Sequence, residues 1–420
     1  MTAITSSSSK GSSGPNPSAE FLSPVAKRQL GRSRAINVEG FISPPVNFKP
    51  WKTFSDAPRY FRPGRPVRTL TVRLQELYDR VQSKDRTILP PEKTFSPTAR
   101  NPRWDYVKPC QCLGSGSNGK VYLLQDRLTG RAVAGKLNIP ENKNVIPQSS
   151  WKVACEEREN LYRLQAFPHV IGFYGGVSWR DQWRKMLIME LASCTLDKIL
   201  KAKQLSFIEQ ISVLYQLLNF HWAASAKKWV HGDLKPSNIG FDHRGYIKLL
   251  DVSFAHDTEQ YDFGPNKIQA LWERAPEIIL GRKYDTSIDL WSIGCIACEM
   301  FLGKTFVYGV NDDNDGRLEA LGQIANKIGL PSREYLQRCS LKNTYFRPNG
   351  TPHLYSGAPL SDNWLERVRQ KAQQHNIPKV AAELFVELLA GMLKYEQRIT
   401  PPAALELCKQ IGSVLETSSQ

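Results

Sequence analysis

The chain predicts an α+β fold in two lobes, a small β-rich one over 104–190 and a larger α-helical one over 194–412. Three observations carry this expectation. Residues 106–135 alternate short β-branched and apolar runs with glycine turns, as in Val121–Leu124, Leu128-Thr129-Gly130 and Ala132–Ala134. One helical stretch comes next at about 149–166, and beyond Leu196 the text is mostly helical in its spacing. The change of texture puts a hinge near Glu190–Ser193.

Ahead of these lobes, residues 1–65 read as a disordered basic tail rich in Ser, Pro and Arg. Residues 66–103 form a linker, in which Leu70, Leu74, Leu77, Tyr78 and Val81 predict an amphipathic helix over 69–83. Pro90, Pro91 and Pro97 punctuate the rest of the linker. A short C-terminal tail is expected over 413–420. Residues 1–108 hold 19 Lys and Arg against 8 Asp and Glu, so 11 of the net +16 precede the globular part. An acidic partner is expected for that tail. Its arginines are dispersed among prolines and aromatics, so nucleic acid is not expected.

No apolar run approaches the roughly eighteen residues of a membrane span. The eight cysteines show no regular pairing, which suggests reduced thiols and an intracellular home, cytoplasmic and/or nuclear. Cys110-x-Cys112 and Cys295-x-x-Cys298 lack a histidine at metal-like spacing, and the second pair lies in an apolar helical pattern, so zinc is not expected. A monomer is expected.

The chemistry is concentrated in three places. Leu113-Gly114-Ser115-Gly116-Ser117-Asn118-Gly119-Lys120-Val121 contains G-x-G-x-x-G-x-V. A dinucleotide-binding loop would open a helix, whereas this one runs into Val121–Leu124, joining two strands that can drape over a triphosphate. Val133-Ala134-Gly135-Lys136 closes the next strand, where a lysine can neutralise nucleotide phosphates if a carboxylate holds it. The helix after it offers Glu156, Glu157 and Glu159. Glu157 is the choice, because Leu161 and Leu164, four and seven residues on, give it a stripe that packs on the lobe.

The third place is His231-Gly232-Asp233-Leu234-Lys235-Pro236-Ser237-Asn238, with Asp251 thirteen positions beyond Asn238. It supplies what phosphoryl transfer from ATP requires. Asp233 can orient a hydroxyl and accept its proton, and Lys235 can stabilise the moving phosphoryl group. Asn238 and Asp251 can hold Mg²⁺, a hard cation that prefers oxygen.

Over about 104–412 these motifs resemble the protein kinase superfamily. Ala275-Pro276-Glu277 matches the end of its activation segment, Asp289-x-Trp291-Ser292-x-Gly294 its buried helix, and Arg398 the late arginine that pairs with the glutamate here numbered 277. The wording is most similar to the mitogen-activated protein kinase branch of the CMGC group, at Val170-Ile171-Gly172, Trp272-x-Arg274-Ala275-Pro276-Glu277-Ile278, Gly294-Cys295-Ile296-Ala297 and Arg398-Ile399-Thr400. The resemblance implies a serine/threonine kinase that moves the γ-phosphoryl of Mg-ATP to protein substrates. It also implies an ATP site of Leu113, Gly114, Gly116, Gly119, Val121, Ala134, Lys136, Glu157, Met189, Glu190 and Ala192. In that site Met189 is the gatekeeper, the backbones of Glu190 and Ala192 grip adenine, and Val121 and Ala134 line its faces.

The departures from the family form a pattern. Gly232 stands where relatives place an arginine that contacts a phosphorylated activation segment, and Lys267 stands at roughly the tyrosine of the missing Thr-x-Tyr pair. Leu271 replaces the arginine before Trp272, and Asp251-Val252-Ser253 replaces Asp-Phe-Gly, with a serine that restricts the backbone more than glycine. A phosphate switch needs both a phosphate and its cationic receiver, so the usual phosphorylation is not expected to turn this protein on. The alternative is a pseudokinase or scaffold that holds partners through the fold and the basic tail. Gly232, Ser253 and Gly135 favour it, while Lys136 and Asp251 oppose it.

Overall fold

The glycine-punctuated text forms an antiparallel sheet of five strands, β1 (Lys108–Gly116), β2 (Gly119–Gln125), β3 (Ala132–Leu137), β4 (Phe173–Ser178) and β5 (Lys185–Met189), in the order β1-β2-β3-β5-β4. They belong to a computed structural model that describes residues 108–418, apart from 117–118, 126–131, 139–146, 179–184, 203–204, 243–244 and 354–362. The basic tail, the linker and the helix expected over 69–83 lie outside the described residues.

Alternation along β3 divides its work. Val133 and Leu137 pack with Leu124, Met186 and Ile188 in a small apolar cluster. Ala134 and Lys136 share the other face, opposite Met189 and Leu187 of β5. Gly135 has a packing reason, since a Cβ there would come within 2.3 Å of the Leu124 side chain and 2.9 Å of Met186 Sδ.

The helix expected after β3 is α1 (Pro147–Leu164), which buries Ala154, Glu157, Leu161 and Leu164 along one stripe. The second lobe contains β6 (Cys194–Thr195), α2 (Leu196–Ala202), α3 (Phe207–Ser225), β7 (Trp229–Val230), β8 (Ile239–Phe241), β9 (Ile247–Leu249) and β10 (His256–Asp257). Then come α4 (Pro276–Ile279), α5 (Ser287–Leu302), α6 (Asn314–Ile328), α7 (Arg333–Gln337), α8 (Lys342–Tyr345), α9 (Trp364–Gln374), α10 (Lys379–Met392) and α11 (Pro401–Thr417). Helix α11 runs past the boundary expected at 412, because Ile411, Val414 and Leu415 continue its stripe against the core.

Helices α3 and α5 are apolar nearly all round and buried, the pattern of core helices. The Ser206 N–H donates to Glu209 Oε2 at 2.8 Å to start α3, and Gly303 ends α5 with φ +72°. Beside the hinge the lobes are joined by backbone. Ile171 N donates to Leu249 O at 3.1 Å, and Leu249 N donates to His169 O at 2.7 Å. Among the described residues no helix is long and apolar enough to cross a membrane.

Candidate active site

Strand β3 and helix α1 aim opposite charges at one point. Lys136 Nζ lies 2.7 Å from Glu157 Oε1 and 3.1 Å from Asp251 Oδ1. The other two glutamates face solvent: Glu156 is 3.8 Å from Lys152, and Glu159 is 3.1 Å from Arg163. Burial works against a charge on Lys136, yet Glu157 and Asp251 outweigh it and hold the ammonium above its ordinary value. Burial also works against the Asp251 carboxylate, but Lys136 and the Ser253 hydroxyl hold it down at about 2.

The loop 231–238 hangs from the buried Asp289 of α5. His231 N donates to Asp289 Oδ2 at 2.6 Å and Gly232 N to Oδ1 at 3.1 Å. Burial pulls His231 below its ordinary value, leaving a neutral ring whose Nε2 donates to Leu250 O at 3.0 Å and whose Nδ1 accepts from Asp233 N at 3.3 Å. Within the loop, Lys235 Nζ is 2.7 Å from Asp233 Oδ2, and Asn238 Nδ2 donates to the same oxygen at 2.9 Å. Pairing of β8 with β9 and the 2.8 Å bond from Leu250 N to Asn238 O bring Asn238 alongside Asp251.

Gly232 has φ +74°, and a Cβ on it would come within 2.7 Å of Phe254 O. The missing arginine therefore has a backbone reason as well as an electrostatic one. Gly232→Ala is expected to destabilise the fold by about 1–3 kcal/mol, as residues forced into left-handed backbone generally do; thermal denaturation reads it, and an unchanged Tm would refute it. Ser253 acts differently from its expected backbone restriction. The left-handed residue is Asp251, with φ +50°, and Ser253 constrains it through its hydroxyl, which donates to Asp251 Oδ1 at 2.6 Å.

The residues assigned to ATP by resemblance lie along the sheet and the hinge. Leu113 is half-buried and Gly114 exposed in β1, and Gly116 pairs with Gly119 where β1 passes into β2. Ser117 and Asn118 of this loop are outside the described residues. Val121 is half-buried opposite Lys136, while Ala134 and Met189 are buried opposite one another. Glu190 N donates to Gly172 O at 2.7 Å, and its Oε2 accepts from Gly172 N at 3.1 Å and lies 2.8 Å from Lys248 Nζ. Ala192 is half-buried in the hinge.

Gln269 shapes this site and carries no sequence signal. Gln269 is buried with φ +63°, and its N–H donates to Gly232 O at 2.8 Å. Its Nε2 donates to Ile288 O at 2.9 Å and Ser292 Oγ at 2.8 Å, and its Oε1 accepts from Ala275 N at 3.0 Å. Arg274 Nη2 then donates to Gln269 O at 2.7 Å, and the guanidinium pairs with both Asp312 oxygens at 2.9 and 2.8 Å. The Gln269 backbone thus ties the 251–277 segment to the loop 231–238, while the Gln269 side chain ties it to α5 and Arg274 ties it to Asp312. Lys267 is exposed. The segment ends as expected, with Arg398 paired to both oxygens of Glu277, Nη2 at 2.8 Å from Oε2.

Glu273, on the same segment, is 4% exposed. Burial, then Glu299 and Asp233, push its carboxyl up to about 8 from an ordinary 4.5. The folded value is raised, so its contribution to stability is complete below about 4.5 and lost as pH rises through about 8. Glu273→Gln is expected to raise Tm at pH 8.5 and to leave it nearly unchanged at pH 4.5. Equal shifts at both values would contradict this reading.

Two lobes, a paired lysine, and an aspartate bound to a lysine and an asparagine in one loop define the class: a kinase-type phosphotransferase. The comparisons agree. The Protein kinase domain family matches residues 107–408, and the chain belongs to that family. It is 28% identical over 309 residues to "Mitogen-activated protein kinase 12" of Danio rerio, covering 72% of this chain and 78% of the relative. It is 28% identical over 317 residues to "Cyclin-dependent kinase B2-1" of Arabidopsis thaliana, covering 72% and 92%. It is 26% identical over 310 residues to "Dual specificity tyrosine-phosphorylation-regulated kinase 4" of Homo sapiens, covering 70% of this chain and 56% of that one. The protein is a divergent CMGC-like kinase.

Proposed function

We propose that this protein is a serine/threonine kinase that transfers the γ-phosphoryl of Mg-ATP to protein hydroxyls without the usual Thr-x-Tyr phosphorylation. The observation that carries it is the assembled Glu157–Lys136–Asp251 chain, at 2.7 and 3.1 Å. The acceptor hydroxyl loses its proton to the Asp233 carboxylate, whose Oδ2 is held in place by Lys235 and Asn238. Its oxygen forms the bond to the γ-phosphorus while the bond to the bridging oxygen breaks, releasing ADP. Lys235 reaches the phosphoryl oxygens from Asp233, and Lys136 meets the phosphates of the nucleotide.

The donor set fits a hard divalent cation. Asp251 commits Oδ1 to Lys136 and Ser253 and retains Oδ2, while Asn238 commits its amide nitrogen to Asp233 and retains its oxygen. When bound, Mg²⁺ would neutralise charge on the transferred group. The Gln269 and Arg274 bonds support independence from a phosphate switch, because they order the segment with groups already in the chain.

The test is transfer of γ-phosphate from Mg-ATP by the full chain to a generic basic protein, with the protein shown free of activation-segment phosphate, beside Lys136→Met. Transfer to serine or threonine that Lys136→Met abolishes supports the reading, and phosphotyrosine alone overturns its specificity. Mg-ATP binding without transfer would favour the scaffold alternative.

A further inference from the structure

We infer that Asn160 is a positioning residue for the metal-binding carboxylate of Asp251, a role that rests on the phosphotransfer reading above. Asn160 follows Glu157 by three residues on α1, so the two share a face of the helix. Its Nδ2 donates to Val252 O at 2.9 Å and to Ala255 O at 2.8 Å. Those carbonyls belong to one tight turn, closed by Ala255 N donating to Val252 O at 3.1 Å. The turn begins immediately after Asp251, whose φ of +50° is one that a residue other than glycine keeps only where its surroundings over-determine it.

Three contacts supply that over-determination. Lys136 Nζ and the Ser253 hydroxyl fix Asp251 Oδ1 from the side-chain end, at 3.1 and 2.6 Å. Asn160 fixes the backbone that carries it. One face of α1 thereby sets two positions at once: Glu157 places Lys136, and Asn160 places the turn that aims Asp251. A rigid helix between them keeps the lysine and the carboxylate in register, with Oδ2 left to meet the cation. Both hydrogens of the Asn160 amide point at carbonyls, so a side chain of equal size without donors would take a donor from each and leave the turn closed only by the bond from Ala255 N to Val252 O.

The experiment measures ATP binding to the full chain by calorimetry, first in EDTA and then at rising Mg²⁺, for the wild type, Asn160→Leu and Asn160→Ala. The expected result is an EDTA affinity for ATP within about twofold of wild type in both variants, since Lys136 and Glu157 remain paired. The Mg²⁺ concentration for half-maximal enhancement should rise roughly 5- to 150-fold, the span of two ordinary net hydrogen bonds. An unchanged Mg²⁺ requirement overturns the inference. So does a loss of EDTA affinity that parallels a fall in Tm, which is what a merely structural residue would show. If Asn160→Leu does not fold, Asn160→Ala, which adds no bulk, decides by the same criteria. A wild type that binds ATP with no response to Mg²⁺ overturns the phosphotransfer reading itself, an outcome distinct from a responsive wild type with an indifferent variant.

Discussion

Asp233→Asn is expected to lower the rate of phosphoryl transfer about 10²- to 10⁴-fold, the range a positioned acid–base group contributes. The substitution keeps the shape of the side chain, and an amide oxygen can still accept from Lys235 and Asn238, which lie 2.7 and 2.9 Å from the carboxylate. It removes the proton acceptor and half of the charge pair with Lys235. The fold should be unaffected and the affinity for ATP nearly so, because Lys136 and the glycine-rich strands assigned to the nucleotide belong to the other lobe. Initial rates at saturating Mg-ATP and peptide check it. A loss below tenfold would mean that Asp233 is not the base.

Arg398→Met is expected to destabilise the protein by about 3–5 kcal/mol, the cost of breaking a buried ion pair by removing one partner. The Arg398 and Glu277 side chains are 3% and 5% exposed. The same guanidinium donates to Ser287 O at 3.0 Å and lies 5.1 Å from the centre of the Trp291 ring. Methionine would leave Glu277 a buried anion with no cation to face. A domain of ordinary stability has only about 5–15 kcal/mol in hand, so the loss should be plain in urea denaturation. Adding Glu277→Gln should restore part of it, since the stranded charge is then gone. No recovery in the double variant would place the cost elsewhere.

The parts of this molecule legible from sequence are those in which chemistry and periodicity coincide. The two lobes come from strand-like text giving way to helical text at the hinge. Glu157 could be chosen over Glu156 and Glu159 because Leu161 and Leu164 mark the stripe that α1 buries. The Glu277–Arg398 pair was readable only by family resemblance, since 121 residues separate the two. Gln269 and Asn160 were not readable at all. Each acts by hydrogen bonds to backbone that the fold brings near, and an amide side chain looks the same whether it faces water or a carbonyl. In sequence Gly232 shows only as a lost receiver for phosphate, whereas its left-handed φ, +74°, and the nearness of Phe254 O are properties of the folded chain alone. For Ser253 the sequence shows a change of backbone freedom, and only the fold shows the hydroxyl's bond to Asp251.

The carboxylate of Glu190 engages both lobes, accepting from Gly172 N at 3.1 Å on one side and lying 2.8 Å from Lys248 Nζ on the other. The backbone bonds between Leu249 and residues 169 and 171 run beside it. An ion pair and backbone bonds on the hinge side resist opening of the cleft, and an enzyme whose cleft opens less readily releases its spent nucleotide more slowly. For the phosphotransfer proposed above, Lys248 would therefore bear on the residence time of ADP rather than on the speed of the chemical step.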